Sequence, residues 1–195
     1  DGVDPATMTG PRLIGRIGLV PQDSSDLLTR DSVAEECTDA DRDAGMPHGS
    51  TQDLLARIAP EISAQTHPRD LSEGQRLALA LSVVLVASPL VLLLDEPTRG
   101  LDYPTKERLS ALLRDLAASG HAIVIATHDV ELAAETATRV VVLADGEIVA
   151  DGPTAHVVIG SPLFAPQVAK ILATADGGDV PLTVAAVRDL LAVSG

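Results

Sequence analysis

The sequence predicts an α/β fold in which a mostly parallel sheet is covered by helices. Its 195 residues are 46% hydrophobic, which provides enough apolar material for one buried core. From residue 73 onward, helix-like and strand-like segments alternate along the chain. The strand-like segments are continuous runs of Val, Leu and Ile, a pattern typical of parallel strands that are buried on both faces. We therefore expect helices on both faces of the sheet.

The first predicted strand covers residues 13–20, and the turn Pro21-Gln22-Asp23 ends it. Residues 24–70 differ in composition, because acidic residues, glycines and prolines surround short helical patterns at residues 33–37 and 51–58. Together with the helix that follows, residues 24–88 are predicted to form a small, mostly helical subdomain. The later elements follow in chain order: helix 73–87, strand 90–94, helix 104–118, strand 122–126, helix 130–136, and a hairpin of strands 139–143 and 147–150.

The domain organisation predicted from these patterns is a main domain at residues 1–152 and a helical tail at residues 153–195. The tail carries two weak helical patterns, at residues 166–173 and 184–191. The acidic, glycine-rich run Asp176-Gly177-Gly178-Asp179 separates them.

The charge of the chain argues against nucleic-acid binding. The formal net charge is −14, and such a surface repels a phosphodiester backbone unless it carries a basic patch, which the sequence does not show. The only aromatic residues are Tyr103 and Phe164, so stacking platforms for single-stranded bases are absent as well. We therefore expect no nucleic-acid partner.

The cysteine content and the apolar runs exclude two further classes of protein. Cys37 is the single cysteine and cannot form an internal disulfide, which fits a reducing cytoplasm. The longest uncharged run, residues 77–94, approaches the length of roughly 18 residues that a spanning helix needs. Pro89 breaks that run into a helix and a strand, so we do not expect a transmembrane segment.

Asp95 and Glu96 directly follow the aliphatic strand at residues 90–94. In open parallel sheets, ligands bind beyond the carboxyl ends of the strands. A carboxylate held there by rigid backbone suits a magnesium ligand, and the next one can face an attacking water as general base. The alternative is an ordinary solvated turn after a strand, which is common for an isolated Asp-Glu-Pro sequence.

Leu71-Ser72-Glu73-Gly74-Gln75 opens the helix predicted at residues 73–87. Ser72 and Gln75 have the spacing of a capping box, which is the structural interpretation. The functional interpretation uses the same helix end, because Gly74 lets a phosphate approach the backbone and the helix dipole favours an anion beside the Ser72 hydroxyl. The two interpretations do not exclude each other.

Two more polar side chains are expected at the same edge of the sheet. His128 follows the strand at residues 122–126, and Gln22 follows the strand at residues 13–20. His128 could reach a phosphate or the base, and Gln22 could orient water or a metal ion. The other histidines show no metal-ligand spacing and are taken as surface or packing residues: His48, His67, His121 and His156.

Together, five ordered motifs in residues 1–152 resemble those of an ABC-type ATPase, which has a P-loop NTPase-like fold. Each motif corresponds to one stretch of this sequence: residues 18–22 to the Q-loop, 71–75 to the signature motif, 91–96 to the Walker B strand, 100–102 to the D-loop and 127–129 to the switch region. Residues 97–102 and 161–168 further resemble the ATPases of energy-coupling factor importers, which take up vitamins, cobalt or nickel.

The resemblance implies ATP and Mg²⁺ as cofactors and a head-to-tail dimer with a second ABC ATPase subunit. Asp95 and Gln22 would bind the metal, Glu96 would activate water, and His128 and Gln22 would sense the γ-phosphate. The signature residues Ser72, Gly74 and Gln75 would contact the ATP of the opposite subunit. Asp102 would lie in the D-loop. The resemblance also implies a transmembrane coupling subunit that meets Gln22 and the helical subdomain, and a cytoplasmic location on the inner face of the cell membrane.

The sequence departs from this family in one respect. It contains no G-x-x-x-x-G-K-[ST] motif, and its only lysines, Lys106 and Lys170, follow the carboxylates. The N-terminal part of the fold, with the Walker A loop, is therefore expected to be absent from this chain, either because the chain is a fragment or because another polypeptide supplies it. We expect the isolated chain to have negligible ATPase activity.

Two alternatives to an ATP-hydrolysing importer subunit remain open at this point. One is a catalytically inactive interaction module that lends its signature motif to a partner ATPase. The other is an ABC ATPase outside transport, in DNA repair or translation, which the negative charge disfavours.

Overall fold

The structure, a computed structural model, describes residues 4–159. The helices are Pro11–Ile14 (α1), Val33–Ala44 (α2), Ser50–Ile58 (α3), Glu73–Leu85 (α4), Tyr103–Ala118 (α5), Val130–Thr136 (α6) and Thr154–Ile159 (α7). The strands are Ile17–Val20 (β1), Val91–Asp95 (β2), Ala122–Ala126 (β3), Arg139–Ala144 (β4) and Glu147–Pro153 (β5). The described residues divide into two compact units, the first ending at Ala126 and the second beginning at Thr127.

The first unit contains a three-stranded parallel sheet in the order β1-β2-β3. The connection from β1 to β2 and the connection from β2 to β3 both cross the sheet in the same direction. Right-handed crossovers that run in one direction place their helices on the same face of the sheet. On that face Leu92 and Leu94 are 0% and 2% exposed. A Cβ atom at Gly18 would lie 2.3 Å from Val84 Cγ1 of α4, so β1 and α4 approach too closely there for any larger residue. The α/β fold class is thus confirmed.

The other face of this sheet carries a row of exposed apolar residues. The strand register aligns Leu19 with Leu93 and Leu93 with Val124. Leu19 and Val124 are 53% and 56% exposed. We expected helices on both faces, whereas the helices of the two crossovers between β1 and β3 lie on one. The reason is the strand order, because three strands added in sequence order never reverse direction and no crossover reaches the second face.

The helices α2, α3 and α4 form the subdomain expected before β2. Their shared core consists of buried aliphatic side chains and the Cys37 thiol: Val33, Cys37, Leu55, Ala59, Leu71, Ala78 and Leu79. Burial raises the pKa of Cys37 to about 11, so the thiol stays protonated at neutral pH. A protonated thiol in this buried cluster packs and is a poor nucleophile.

The start of α3 is capped by a side chain from α2. Gly49 at the N-cap position has φ 95 and supplies no side-chain hydrogen bond. Asp41 replaces it, because its carboxylate accepts from the Gly49 N–H at 2.7 Å, the Thr51 N–H at 2.8 Å and the Thr51 hydroxyl at 2.6 Å. Burial alone would raise the pKa of Asp41, but these hydrogen bonds outweigh it and hold the pKa below its usual value. One carboxylate therefore joins two helices of the subdomain.

The observed elements follow the expected order, and most of their bounds agree to within two residues. The larger differences are these. Residues 13 and 14 belong to α1 rather than to the first strand, because a short apolar run fits either element. Helix α2 continues from residue 37 to Ala44, and β5 continues from residue 150 to Pro153. The helical patterns at residues 166–173 and 184–191 lie outside the described residues.

The second unit contains α6, the antiparallel hairpin β4-β5 and α7. Arg139 and Asp151 pair across the hairpin through two hydrogen bonds of 2.8 and 2.7 Å. The Thr154 hydroxyl donates to the Ala137 carbonyl at 2.6 Å, which ties the start of α7 to the end of α6. Among residues 4–159, no helix has the length and apolar character needed to cross a bilayer.

Replacing Asp41 with Asn should destabilise the fold by about 1–3 kcal/mol at pH 7, because an amide cannot accept all three hydrogen bonds. The pKa of Asp41 is lower in the folded state than its unfolded value of about 3.9. Its contribution is therefore complete above that unfolded value and is lost as the pH falls through the folded one. Urea unfolding of the wild type and Asp41→Asn at pH 7 and at low pH measures both effects.

The matched control is Asp43→Asn, at an exposed position of the same helix. This control should stay within about 0.5 kcal/mol of the wild type. An equal loss in both variants would contradict the capping role of Asp41.

Candidate functional site

The carboxyl edge of the parallel sheet brings several predicted site residues to one place. Val20 of β1 pairs with Leu94 of β2, and Gln22 and Glu96 each follow two residues later. Asp95 is the last residue of β2. The side chains of Gln22 and Asp95 are exposed and that of Glu96 is half-buried. This edge thus offers two carboxylates and one amide to a ligand.

The backbone of Glu96 has an unusual conformation. Its φ of 46 lies in the left-handed region, which is unfavourable for a residue with a side chain. Two hydrogen bonds hold it, since its N–H donates to the Ala126 carbonyl at 2.8 Å and its carbonyl accepts from the Arg99 N–H at 3.1 Å. Strain of this kind persists where the surroundings fix it, and it is frequent at functional sites. The turn aims the Glu96 side chain away from the direction that a continuing strand would give it.

The start of α4 is a complete capping box. Gln75 Oε1 accepts from the Ser72 N–H at 3.0 Å, and the Ser72 hydroxyl oxygen accepts from the Gln75 N–H at 3.3 Å. The structural interpretation of Ser72 and Gln75 is therefore confirmed. The Ser72 hydroxyl still has its own proton to donate to an oxygen ligand, so the phosphate interpretation stays a compatible prediction.

Asp102 is the N-cap of α5 and accepts from the Thr105 N–H at 3.0 Å. Hydrogen bonds from the Thr105 hydroxyl and from the same N–H lower the pKa of Asp102 below its usual value. Asp102 therefore keeps its negative charge at neutral pH. The D-loop residue that the resemblance identified is held by the helix that follows it.

Three charged residues beside these motifs were missed by sequence reasoning. Asp23, next to Gln22, caps a 3₁₀ turn at Ser24–Leu27, and a hydrogen bond from the Ser25 hydroxyl lowers its pKa. The charges of Arg76 and Arg99 lower it further. Arg76 Nη2 also donates to the Leu71 carbonyl at 2.8 Å, while its buried Nε has no hydrogen-bond partner. The signal that could have found Arg76 is its place directly after Gln75 in a chain of strongly negative charge.

His128 lies in the second unit, between β3 and α6, and its side chain is exposed. Asp129 beside it caps α6 by accepting from the Leu132 N–H at 3.1 Å. The expected approach of His128 to Asp95 or to a phosphate remains a prediction.

A family model described as "AAA domain, putative AbiEii toxin, Type IV TA system" matches residues 13–134, more than half of the chain. A "Putative ABC transporter ATP-binding protein" of Streptomyces avermitilis is 64% identical over 185 residues, which is 94% of this chain. The chain belongs to this AAA-domain family and to the ABC transporter ATP-binding proteins. It spans 32% of the length of the Streptomyces relative.

Other ABC proteins resemble the chain more distantly. The "Cobalt import ATP-binding protein CbiO" of Rhodobacter capsulatus is 37% identical over 146 residues, 73% of this chain and 52% of that protein. Among solved structures, cbiO1 of Clostridium perfringens, part of the ABC transporter complex cbiONQ, matches with a TM-score of 0.65 and 30% identity. That match covers 75% of this chain and 60% of cbiO1. An ATP-binding cassette bound to ADP and Pi has the same fold, with a TM-score of 0.65, 24% identity and coverage of 78% and 68%.

The oxygen donors at the sheet edge of this ABC chain fit Mg²⁺ that arrives with a nucleotide. Magnesium is usually held by one or two carboxylates together with phosphate oxygens and water. Asp95 offers one exposed carboxylate and Gln22 an amide oxygen. Within residues 4–159, no group of three or more His, Cys, Asp or Glu side chains could hold a metal ion by itself. The donor set suits a metal shared with phosphates.

Because the backbone of Glu96 is left-handed, glycine should stabilise the fold more than alanine at this position, which is the reverse of their order in a helix. Glu96→Gly should be more stable than Glu96→Ala by about 1 kcal/mol, since only glycine adopts this φ without cost. Urea unfolding of the two variants measures the difference. At the exposed helical residue Glu107 the order should reverse, with Glu107→Gly less stable than Glu107→Ala by about 1 kcal/mol. The same order at both positions would contradict the strained conformation.

Proposed function

We propose that the chain is part of an ATP-binding and ATP-hydrolysing subunit of an ABC importer. Hydrolysis would be coupled to uptake of a vitamin or a transition-metal ion across the membrane. The observation that carries the proposal is the edge of the sheet, where Asp95 and Glu96 leave β2 beside Gln22, which follows the paired strand β1 by two residues. The relative CbiO, described as a cobalt import protein, supports an importer of a transition-metal ion, and we propose that it is of the energy-coupling factor type.

Each residue at this edge has a proposed part in the reaction. Asp95 and Gln22 would hold Mg²⁺, which neutralises phosphate charge when bound. Glu96 would accept a proton from the attacking water as general base, at a position that its rigid turn fixes. Gln22 and His128 would contact the γ-phosphate and orient the water. The proton removed from water would reside on the Glu96 carboxylate.

The start of α4 would serve the ATP of a second ABC subunit arranged head to tail. The Ser72 hydroxyl can donate to a phosphate oxygen, and the N-terminus of a 13-residue helix favours negative charge. Gly74 and Gln75 would lie beside the same triphosphate. Closure of the dimer on ATP and reopening after hydrolysis would convert the reaction into movement of a transmembrane coupling subunit. The helical subdomain and Gln22 would face that subunit, from a cytoplasmic position on the inner side of the membrane.

A second candidate is an inactive ABC module that lends only Ser72, Gly74 and Gln75 to a partner ATPase. The observation that favours it is the complete capping box that opens α4, because this helix start alone would be enough to serve a partner's ATP. In both cases the chain should bind a partner that carries ATP.

The signature function can be tested by mixing the chain with an intact homologous ABC subunit. Association should require MgATP. Ser72→Asp should weaken the association roughly tenfold or more, because a carboxylate at position 72 repels the triphosphate. Aspartate is also a good N-cap, so the melting temperature should change little. Analytical ultracentrifugation with and without MgATP measures the association. Ser119→Asp, at the exposed end of α5, is the matched control. Association without nucleotide dependence would refute the proposal.

The general base can be tested in a protein that joins this chain to an upstream region with a phosphate loop. Glu96→Gln should slow ATP hydrolysis by about 10²–10⁴-fold, the usual contribution of a general base. Glu107→Gln, at an exposed position of α5, should leave the rate unchanged. A loss of less than about threefold in Glu96→Gln would remove Glu96 from this role.

A further inference from the structure

The second residue of α4, Gly74, faces a side chain of α5. A Cβ atom built at Gly74 would lie 2.9 Å from Thr105 Cγ2, 3.6 Å from Thr105 Oγ1 and 3.7 Å from Leu101 Cδ2. The first distance is shorter than real Cβ contacts allow. The methyl group of Thr105 therefore occupies the space into which any side chain at position 74 would extend.

The Thr105 methyl group is held in this position by hydrogen bonds on the other side of the residue. Thr105 Oγ1 accepts from Arg108 Nη2 at 3.0 Å, and the Thr105 hydroxyl also bonds to the Asp102 carboxylate. The Thr105 N–H donates to the same carboxylate at 3.0 Å. A β-branched side chain in a helix has few rotamers, so turning the methyl away from Gly74 would break these bonds.

A second glycine makes the reciprocal contact. Gly100, in the turn before Asp102, has φ 74, and a Cβ atom there would lie 3.2 Å from Glu73 Cγ. The start of α4 therefore packs on the start of α5 through Gly74, and the turn before α5 packs on α4 through Gly100. At each contact the backbone of a glycine on one segment packs against a side chain of the other segment. The start of α4 and the turn before α5 therefore have little room to move independently.

We propose that Thr105 is a positioning residue for the signature motif, because its methyl group fixes the start of α4 to the turn that carries Asp102. The proposal rests on the function above, in which Ser72 and Gly74 receive the partner's ATP. Ser72, Gly74 and Asp102 then form one rigid unit, so a phosphate bound at Ser72 also fixes the carboxylate of Asp102. Gly74 is then required for this packing, and the approach of a phosphate to Ser72 does not itself depend on the lack of a side chain at position 74.

The packing is tested by a double-mutant cycle on the melting temperature of the 195-residue chain. In a helix, alanine is favoured over glycine, so Gly74→Ala should raise the melting temperature unless the Thr105 methyl obstructs it. We expect Gly74→Ala to lower it by about 2–4 °C in the wild type and to raise it in the Thr105→Ser background, where the methyl is gone and the hydroxyl bonds remain. Thr38→Ser, at an exposed threonine of α2, is the control and should not reverse the effect of Gly74→Ala. The same sign of the Gly74→Ala effect in both backgrounds would overturn the proposal.

The positioning role is tested by nucleotide-dependent association with the intact homologous subunit. Gly74→Ala should weaken association roughly tenfold or more, and adding Thr105→Ser should restore it to within about threefold of Thr105→Ser alone. If the double variant regains its melting temperature but not its association, Gly74 is needed for the phosphate itself and the role of Thr105 is overturned. If the wild-type chain does not associate with an ATP-loaded partner, the proposed function fails, and the positioning role fails with it.

Discussion

The hydrogen-bonded pairing of β2 with β1 on one side and β3 on the other determines where every residue of the sheet edge lies. The register joins Val20 to Leu94 and Leu94 to Ile125, so the strands end together and the polar residues that follow emerge side by side. Burial of Leu92 and Leu94 holds this pairing in place. A slip of one residue would turn both leucines to the other face and carry Asp95 with them.

The sequence predicted the elements whose patterns are local and missed those that depend on contacts between elements. Strand β3 and helix α6 have the expected bounds, because their aliphatic run and their Asp129 cap can be read directly. Helix α2 is longer than expected, because its second half reads as a polar, acidic run. Within that half Asp41 is buried and bonded to α3, and no local pattern shows that contact.

In the candidate site, too, the sequence predicted the features that are local and missed those that depend on contacts between elements. The positions of Asp95 and Glu96 at a strand end, and the capping box of Ser72, followed from the order of residue types. The left-handed backbone of Glu96 did not, since it depends on a hydrogen bond to Ala126 on a neighbouring strand. Arg76 could be seen in the sequence only as one more charge, and its closeness to Asp23 became apparent from the fold.

The strand alternation that leaves Leu19 and Val124 exposed also has a consequence for Asp95. Val91, Leu93 and Asp95 point to the same face of β2, so the carboxylate stands at the end of the apolar row. A molecule that binds to this row of apolar residues removes bulk water from around the Asp95 carboxylate and lowers the local dielectric constant. Attraction between the carboxylate and a divalent cation rises as the dielectric constant falls. Covering a hydrophobic surface would in this way strengthen an ionic bond at its margin.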